Sequence, residues 1–162
     1  MLKLRSLLIL FATLMVFACK PEYTDKQLHQ NKLKGESFLS SNKQKSSVIV
    51  TRSGLQYEVL REASGRKPKV SDKVKVHYRG KFIDGQIFDS SYQRKQPVEI
   101  QLEQVIKGWT EGLQLMSEGA KYRFVIPHNL AYGAKSSATM PGYTTLIFEV
   151  ELLEVVTKRR IR

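Results

Sequence analysis

The pattern of apolar residues predicts an α+β fold: a curled antiparallel β-sheet wrapped around one short helix and preceded by a short helical stem. Two observations carry this. Four stretches alternate apolar and polar residues with period two, the mark of strands with one buried face, and only one stretch among them repeats at helical spacing. A chain of 162 residues fits one such domain with short appendages, since a domain usually takes roughly 100 to 200 residues.

The amino terminus reads as an address. Met1 to Ser6 is short and basic, and Leu7 to Ala18 is apolar apart from Thr13, the layout of a secretory signal. This run is too short to span a bilayer, which takes about 20 apolar residues. It ends on Val16-Phe17-Ala18-Cys19, at the single cysteine of the chain, and the composition then turns polar. The junction resembles a bacterial lipobox, which implies that residues 1–18 are a lipoprotein signal peptide and that the thiol of Cys19 carries lipid. Acyl chains contribute about 0.8 kcal/mol per buried methylene, enough together for stable anchoring. Lys20 is not the acidic retention signal some bacteria use, which favours an outer membrane within the cell envelope. One cysteine permits no disulfide within a monomer, and no Cys/His cluster is present to hold a metal.

Residues 19–47 form a polar, partly helical stem. Thr24 with Gln27 three residues on is a capping box, so a helix is expected from Asp25 to about Asn42, although Gly35 in its interior costs helix stability. Ser40, Ser41, Ser46 and Ser47 then mark a linker. So short and weakly amphipathic a stem predicts a monomer.

The domain proper spans residues 48–157. Its first patterned strand puts Val74, Val76 and Tyr78 on one face and Lys75 and His77 on the other, which assigns His77 to the surface. Val98, Ile100 and Leu102 share a face in the second. Tyr122, Phe124 and Ile126 do so in the third, and Leu146, Phe148, Val150 and Leu152 in the fourth. Asp84-Gly85 is a hairpin signal. Between the second and third strands, Val105, Trp109, Leu113 and Met116 recur at helical spacing before Glu118-Gly119. That helix is expected to pack on one face of the sheet.

The formal charge of +12 sits mostly at the ends. From Val48 to Thr157 there are 15 Lys and Arg against 12 Asp and Glu, and residues 158–162 form a basic tail. A folded part so nearly balanced argues against a nucleic-acid partner.

Five blocks then carry a resemblance: Val76-His77-Tyr78-x-Gly80, Asp84-Gly85-x-x-Phe88-Asp89-Ser90-Ser91, Val105-Ile106-x-Gly108-Trp109-x-Glu111-Gly112, Ala131-Tyr132-Gly133 and Thr145-Leu146-x-Phe148. In order and spacing they resemble the FKBP-type peptidyl-prolyl cis/trans isomerases. Gly35 to Lys43 and Ser53 to Tyr57 are similar to the macrophage infectivity potentiator branch, whose longer stem dimerises. The resemblance implies a rotamase that needs no cofactor, takes proline-containing polypeptides and is open to macrolide inhibitors. It implies a pocket of Tyr78, Phe88, Val105, Ile106, Tyr132 and Phe148 with Trp109 as its floor. Asp89 would lie beside the twisted carbonyl, Arg94 would orient Asp89 and Tyr78, and the Ile106 N–H and the Tyr132 hydroxyl would donate to a ligand. Val98 stands where many members have a larger aromatic residue. Lys135 to Tyr143 replaces the usual loop, with Met140 in place of its isoleucine.

Two other readings compete: a chaperone that keeps the fold without turnover, and a lipoprotein that binds surfaces through its basic ends. Retention of Tyr78, Asp89, Trp109, Tyr132 and Phe148 favours the enzyme over the first. The charge balance favours it over the second.

Overall fold

The computed structural model describes residues 23–156; the apolar N-terminal run, Cys19 and the basic tail lie outside the described residues. Helix α1 runs over Asp25–Asn42. At its start the Thr24 hydroxyl accepts the Gln27 N–H at 3.3 Å and Gln27 Oε1 accepts the Thr24 N–H at 2.8 Å. This reciprocal box satisfies two of the donors that a first turn leaves free.

The helix lies against the domain. Gly35 is buried on its inner side, and a Cβ there would stand 2.5 Å from Thr145 Oγ1. The residue that weakens the helix as a propensity is thus what lets its backbone approach the sheet. At one end of the contact Asn31 Nδ2 donates to the Gly142 carbonyl at 2.7 Å. At the other end Asn42 Nδ2 donates to Gln56 Oε1 at 2.9 Å and Gln56 Nε2 donates to the Leu39 carbonyl at 2.8 Å.

Seven antiparallel strands follow: β1 (Ile49–Val50), β2 (Gln56–Arg61), β3 (Lys73–Phe82), β4 (Ile87–Ser90), β5 (Val98–Gln101), β6 (Lys121–Ile126) and β7 (Leu146–Val156). Their order is β1-β2-β6-β7-β3-β4, and β5 also pairs with β3. β3 is the organising strand. One edge pairs with β7 along its whole length, while the other edge takes β5 along Lys73 to Val76 and β4 along Arg79 to Lys81.

The four strands expected from alternation are present. Three more, β1, β2 and β4, gave no such signal, for different reasons. β1 has two residues, and β2 opens on buried Gln56, whose amide is satisfied by α1 instead of being exposed. β4 is interrupted by a register shift opposite Gly80 and Lys81.

Helix α2 (Lys107–Leu115) lies on the concave face, over a core that includes Val74, Val76, Phe124, Ile126, Leu146, Phe148, Val150 and Leu152. It begins later than its apolar spacing suggested, because Val105 and Ile106 are extended. Gly108 and Gly112, four residues apart, form its contact line. A Cβ at the first would meet Ile126 Cγ2 at 2.5 Å, and one at the second Phe124 Cε1 at 2.6 Å. The helix therefore rests its backbone directly on β6.

The outer face holds cross-strand ion pairs. Arg123 bridges Glu58 at 2.6 Å and Glu149 at 3.2 Å, and Arg61 meets Glu151 at 2.6 Å. Such pairs contribute only about 0–1 kcal/mol each, but they engage these arginines within the fold. His77 is not a free surface residue, contrary to its position in the alternation. The chain returning from β4 covers it: Nδ1 lies 2.9 Å from Ser91 Oγ and the ring stacks on Tyr92 at 4.6 Å.

Candidate active site

Between α2 and the strands β3, β4 and β5 opens a cleft of about 320 Å³. Its floor is Trp109, presented by the first turn of α2 and only 6% exposed. The indole meets Tyr78 at 5.2 Å and Phe148 at 5.1 Å, both edge to face, and Phe88 closes on Phe148 at 5.5 Å in the same manner. Edge-to-face contacts suit the ring quadrupoles and hold the walls upright. Tyr78, Phe88 and Phe148 come from three neighbouring strands, β3, β4 and β7.

Two backbone features make this convergence possible. At Gly80, paired with Phe148 across the sheet, a Cβ would lie 2.6 Å from Phe88 Cζ and 2.9 Å from Phe148 Cε1. Glycine leaves the space in which the two rings meet. In β4, Asp89 pairs with Gly80 and Ile87 with Lys81, so Phe88 is the extra residue of a bulge. Strict alternation would send Phe88 and Asp89 to opposite faces, whereas the bulge lets both line the cleft.

The polar edge is a triad of a different sort from a nucleophilic one. The Tyr78 hydroxyl donates to Asp89 Oδ2, Arg94 Nη1 donates to Asp89 Oδ1, and Arg94 Nη2 reaches the Tyr78 hydroxyl at 3.0 Å. Burial pushes the Asp89 carboxyl up, but the hydrogen bonds from Tyr78 and Arg94 outweigh it and hold the group below the ordinary carboxylate value. Burial and the bond to Asp89 push the Tyr78 phenol up. Asp89 is therefore an anion and Tyr78 a neutral donor at neutral pH. The backbone of Tyr78 is fixed as well, since its N–H donates to Ser91 Oγ at 2.8 Å and its carbonyl accepts the Ser91 N–H at 3.0 Å.

Val98 of β5 and Val105, Ile106 and Tyr132 complete the lining. Ile106 is the cap residue of α2, so its N–H belongs to the donors without an intrahelical partner. Arg94 sits behind Asp89 at the rim. Met140 does not join them. It is not among the lining residues but packs on the hydrophobic core, its carbonyl accepting the Ser137 N–H at 2.8 Å. Ile100 and Gln104 do line the cleft and were not picked out from sequence. Ile100 shares the period-two face of Val98, which could have marked it, whereas Gln104 lies in the turn before α2 and leaves no signal. His128 lies outside the cleft, its ring edge-on to Tyr143 at 5.2 Å.

The arrangement offers an apolar, aromatic slot for a small ring, with an anion, a phenol and the Ile106 backbone N–H at its margin. It presents no nucleophile beside a base. The sequence pattern described as FKBP-type peptidyl-prolyl cis-trans isomerase matches residues 64–153, and that of the domain amino terminal to such isomerases matches residues 12–59. The chain belongs to the FKBP-type peptidyl-prolyl cis-trans isomerase family.

Among its relatives, FkpA of Aeromonas hydrophila is 48% identical over 131 residues, covering 81% of this chain and 49% of that protein. The outer membrane protein MIP of Legionella longbeachae is 45% identical over 132 residues, covering 81% and 57%. The chain thus spans about half the length of these curated relatives. The crystal structure of FkpA from Escherichia coli superposes with a TM-score of 0.78 at 42% identity, covering 80% of this chain and 61% of that one. A peptidyl-prolyl cis-trans isomerase structure from Pseudomonas syringae gives 0.77 at 37% identity, covering 83% and 100%. The FKBP-like fold expected from the motifs is the fold found.

Proposed function

We propose that the chain catalyses cis/trans rotation of X-Pro bonds in polypeptides, without covalent chemistry and without a cofactor. The observation that carries this is the aromatic slot over Trp109 with Asp89, Tyr78 and Arg94 bound together at its edge. Rotation about the amide faces a barrier of about 18 to 20 kcal/mol because resonance keeps it planar. Within the slot, Tyr78, Phe88, Trp109 and Phe148 exclude water from the prolyl ring and imide, which weakens the polar resonance form. A shape that fits the twisted bond better than either planar form lowers the barrier. Asp89 supplies a fixed charge beside the rotating carbonyl, and Arg94 keeps that charge in place. Val98, Val105 and Ile106 hold the substrate, with the Ile106 N–H and the Tyr132 hydroxyl as donors to it. The same slot would admit macrolide inhibitors of the family.

A protease-coupled assay on proline peptides with varied preceding residues tests this. Turnover well above the uncatalysed rate, whose time constant is about 10 to 100 s, is expected. Tight peptide binding without turnover would instead establish a chaperone on this fold.

The setting we infer is the bacterial envelope, with Cys19 lipidated and the domain outside the cytoplasm. In support, the apolar run ends on the single cysteine, and the Legionella relative is named an outer membrane protein. No helix among the described residues is long and apolar enough to cross a membrane. Cells fed a fatty-acid analogue should label the protein, and Cys19→Ala should remain unlabelled; label that persists in the variant contradicts the anchor. The lipid-free chain is read as a monomer because α1 lays its buried side on its own domain, and a doubled mass in light scattering would contradict that.

A further inference from the structure

We infer that Asn31, in the helix before the catalytic sheet, is a positioning residue for the pocket. It acts through the loop ending at Thr144 on Tyr132. The inference rests on the isomerase reading above and assigns α1 a part in it.

Asn31 Nδ2 donates to the Gly142 carbonyl at 2.7 Å and to Thr144 Oγ1 at 2.9 Å, bonds that join positions more than a hundred residues apart. The next residue, Lys32, sets its ammonium 5.8 Å from the centre of the Tyr143 ring. One turn on, Gly35 lets the helix backbone close on Thr145. Contacts from three residues of α1, Asn31, Lys32 and Gly35, therefore fall on the segment from Gly142 to Thr145.

Tyr143 has φ +61°, a left-handed conformation that a side-chain-bearing residue keeps only when its surroundings impose it. In that conformation its N–H donates to the Gly133 carbonyl at 2.7 Å, while the N–H groups of Ala131 and Gly133 both donate to the His128 carbonyl, at 3.0 and 2.8 Å. Tyr132 is thus bracketed on both sides. It needs the bracket, because it lines the cleft while 54% exposed and has little packing of its own. The path from α1 to the pocket is short: Asn31 to Gly142, Tyr143 to Gly133, and then Tyr132.

Without Asn31 the loop end gains conformers, and a substrate must order Tyr132 as it binds. The loss should then fall on binding, not on the rotation step. Asn31→Leu is expected to raise KM by about three- to ten-fold with kcat little changed, an effect within the lower part of the range of coupling between residues in one hydrogen-bond network. Lys26→Ala, at an exposed position of the same helix, should leave KM as it is. In a Tyr132→Ala background the Asn31→Leu effect should vanish, which a general loss of stability would not produce. Thr144→Val removes the acceptor of Asn31, together with the hydroxyl's own bond to the Pro141 carbonyl at 2.6 Å, without altering the helix. It should shift KM in the same direction, which keeps the test open if Asn31→Leu alone folds poorly, and by less in an Asn31→Leu background. An unchanged KM in folded Asn31→Leu, or an effect undiminished without Tyr132, overturns the inference. Wild-type turnover, measured first, tests the isomerase reading alone. Should it be absent, Trp109 fluorescence titrated with a proline peptide reads the same shift as a change in Kd.

Discussion

Tyr78→Ala and Asp89→Leu are each expected to lower kcat/KM for prolyl peptides by about ten-fold or more, while circular dichroism and urea unfolding show the domain folded. A ten-fold loss corresponds to about 1.4 kcal/mol of transition-state stabilisation. The grounds differ for the two. Tyr78 is edge-on to Trp109 and lines the cleft with Asp89; on the proposed mechanism Tyr78 would be a wall that excludes water, whereas Asp89 would supply charge beside the imide carbonyl. They are also bonded to each other and to Arg94, so the double variant should lose less than the product of the two single losses.

The pH profile follows from the same bonds. The Asp89 carboxyl is depressed in the folded state, so its contribution is fully present above the unfolded value of about 3.9 and is lost only as pH falls through the lower folded value. As far as Asp89 is concerned, kcat/KM should stay level from neutrality to below the ordinary carboxylate range and fall only as pH passes through the depressed folded value. His128→Ala should change little, because this mechanism has no general base. Folded Tyr78→Ala and Asp89→Leu with wild-type activity would show the site to be wrongly placed.

Phe124→Ala is expected to cost about 3–5 kcal/mol in urea unfolding, the largest loss of stability foreseen for a single change here. The side chain is fully buried on β6, and its ring edge fills the space that Gly112 of α2 leaves open. Truncation removes both the apolar burial and the surface on which the helix rests. Gly112→Val alone should destabilise by about 1–3 kcal/mol through overpacking. The two changes act on one space, so the double variant should be more stable than their sum predicts, since its added methyls occupy part of the cavity. Strict additivity would mean that α2 does not bear on Phe124 as described.

Much of the fold was legible because the sheet has one dry face. Where residues alternate without interruption, as along Leu146, Phe148, Val150 and Leu152, period two names the buried set, and all four are buried. Beyond Leu152 the rule breaks: β3 and β7 shift register, and Val155 is buried in place of Glu154. Nothing local marks that shift. The α1 boundaries were readable from the capping box, a local device between Thr24 and Gln27. What α1 does was not, because its contacts with Gly142, Thr144 and Gln56 join segments remote in the chain.

By itself the sequence determined the α+β class, four strands, two helices and, through its motifs, the family and the aromatic set of the cleft, since these depend on short-range period and residue type. Only the tertiary structure decided that a bulge brings Phe88 and Asp89 to one cleft, that Gly80 gives the rings of Phe88 and Phe148 room to meet, and that Met140 turns to the core. It also decided that His77 is covered and that Gly35 is a point of contact. The physical reason is common to all of these. Each is fixed by what stands opposite a residue across the sheet or the helix interface, and a register or a close approach is a relation between distant segments that no local pattern of apolar residues encodes.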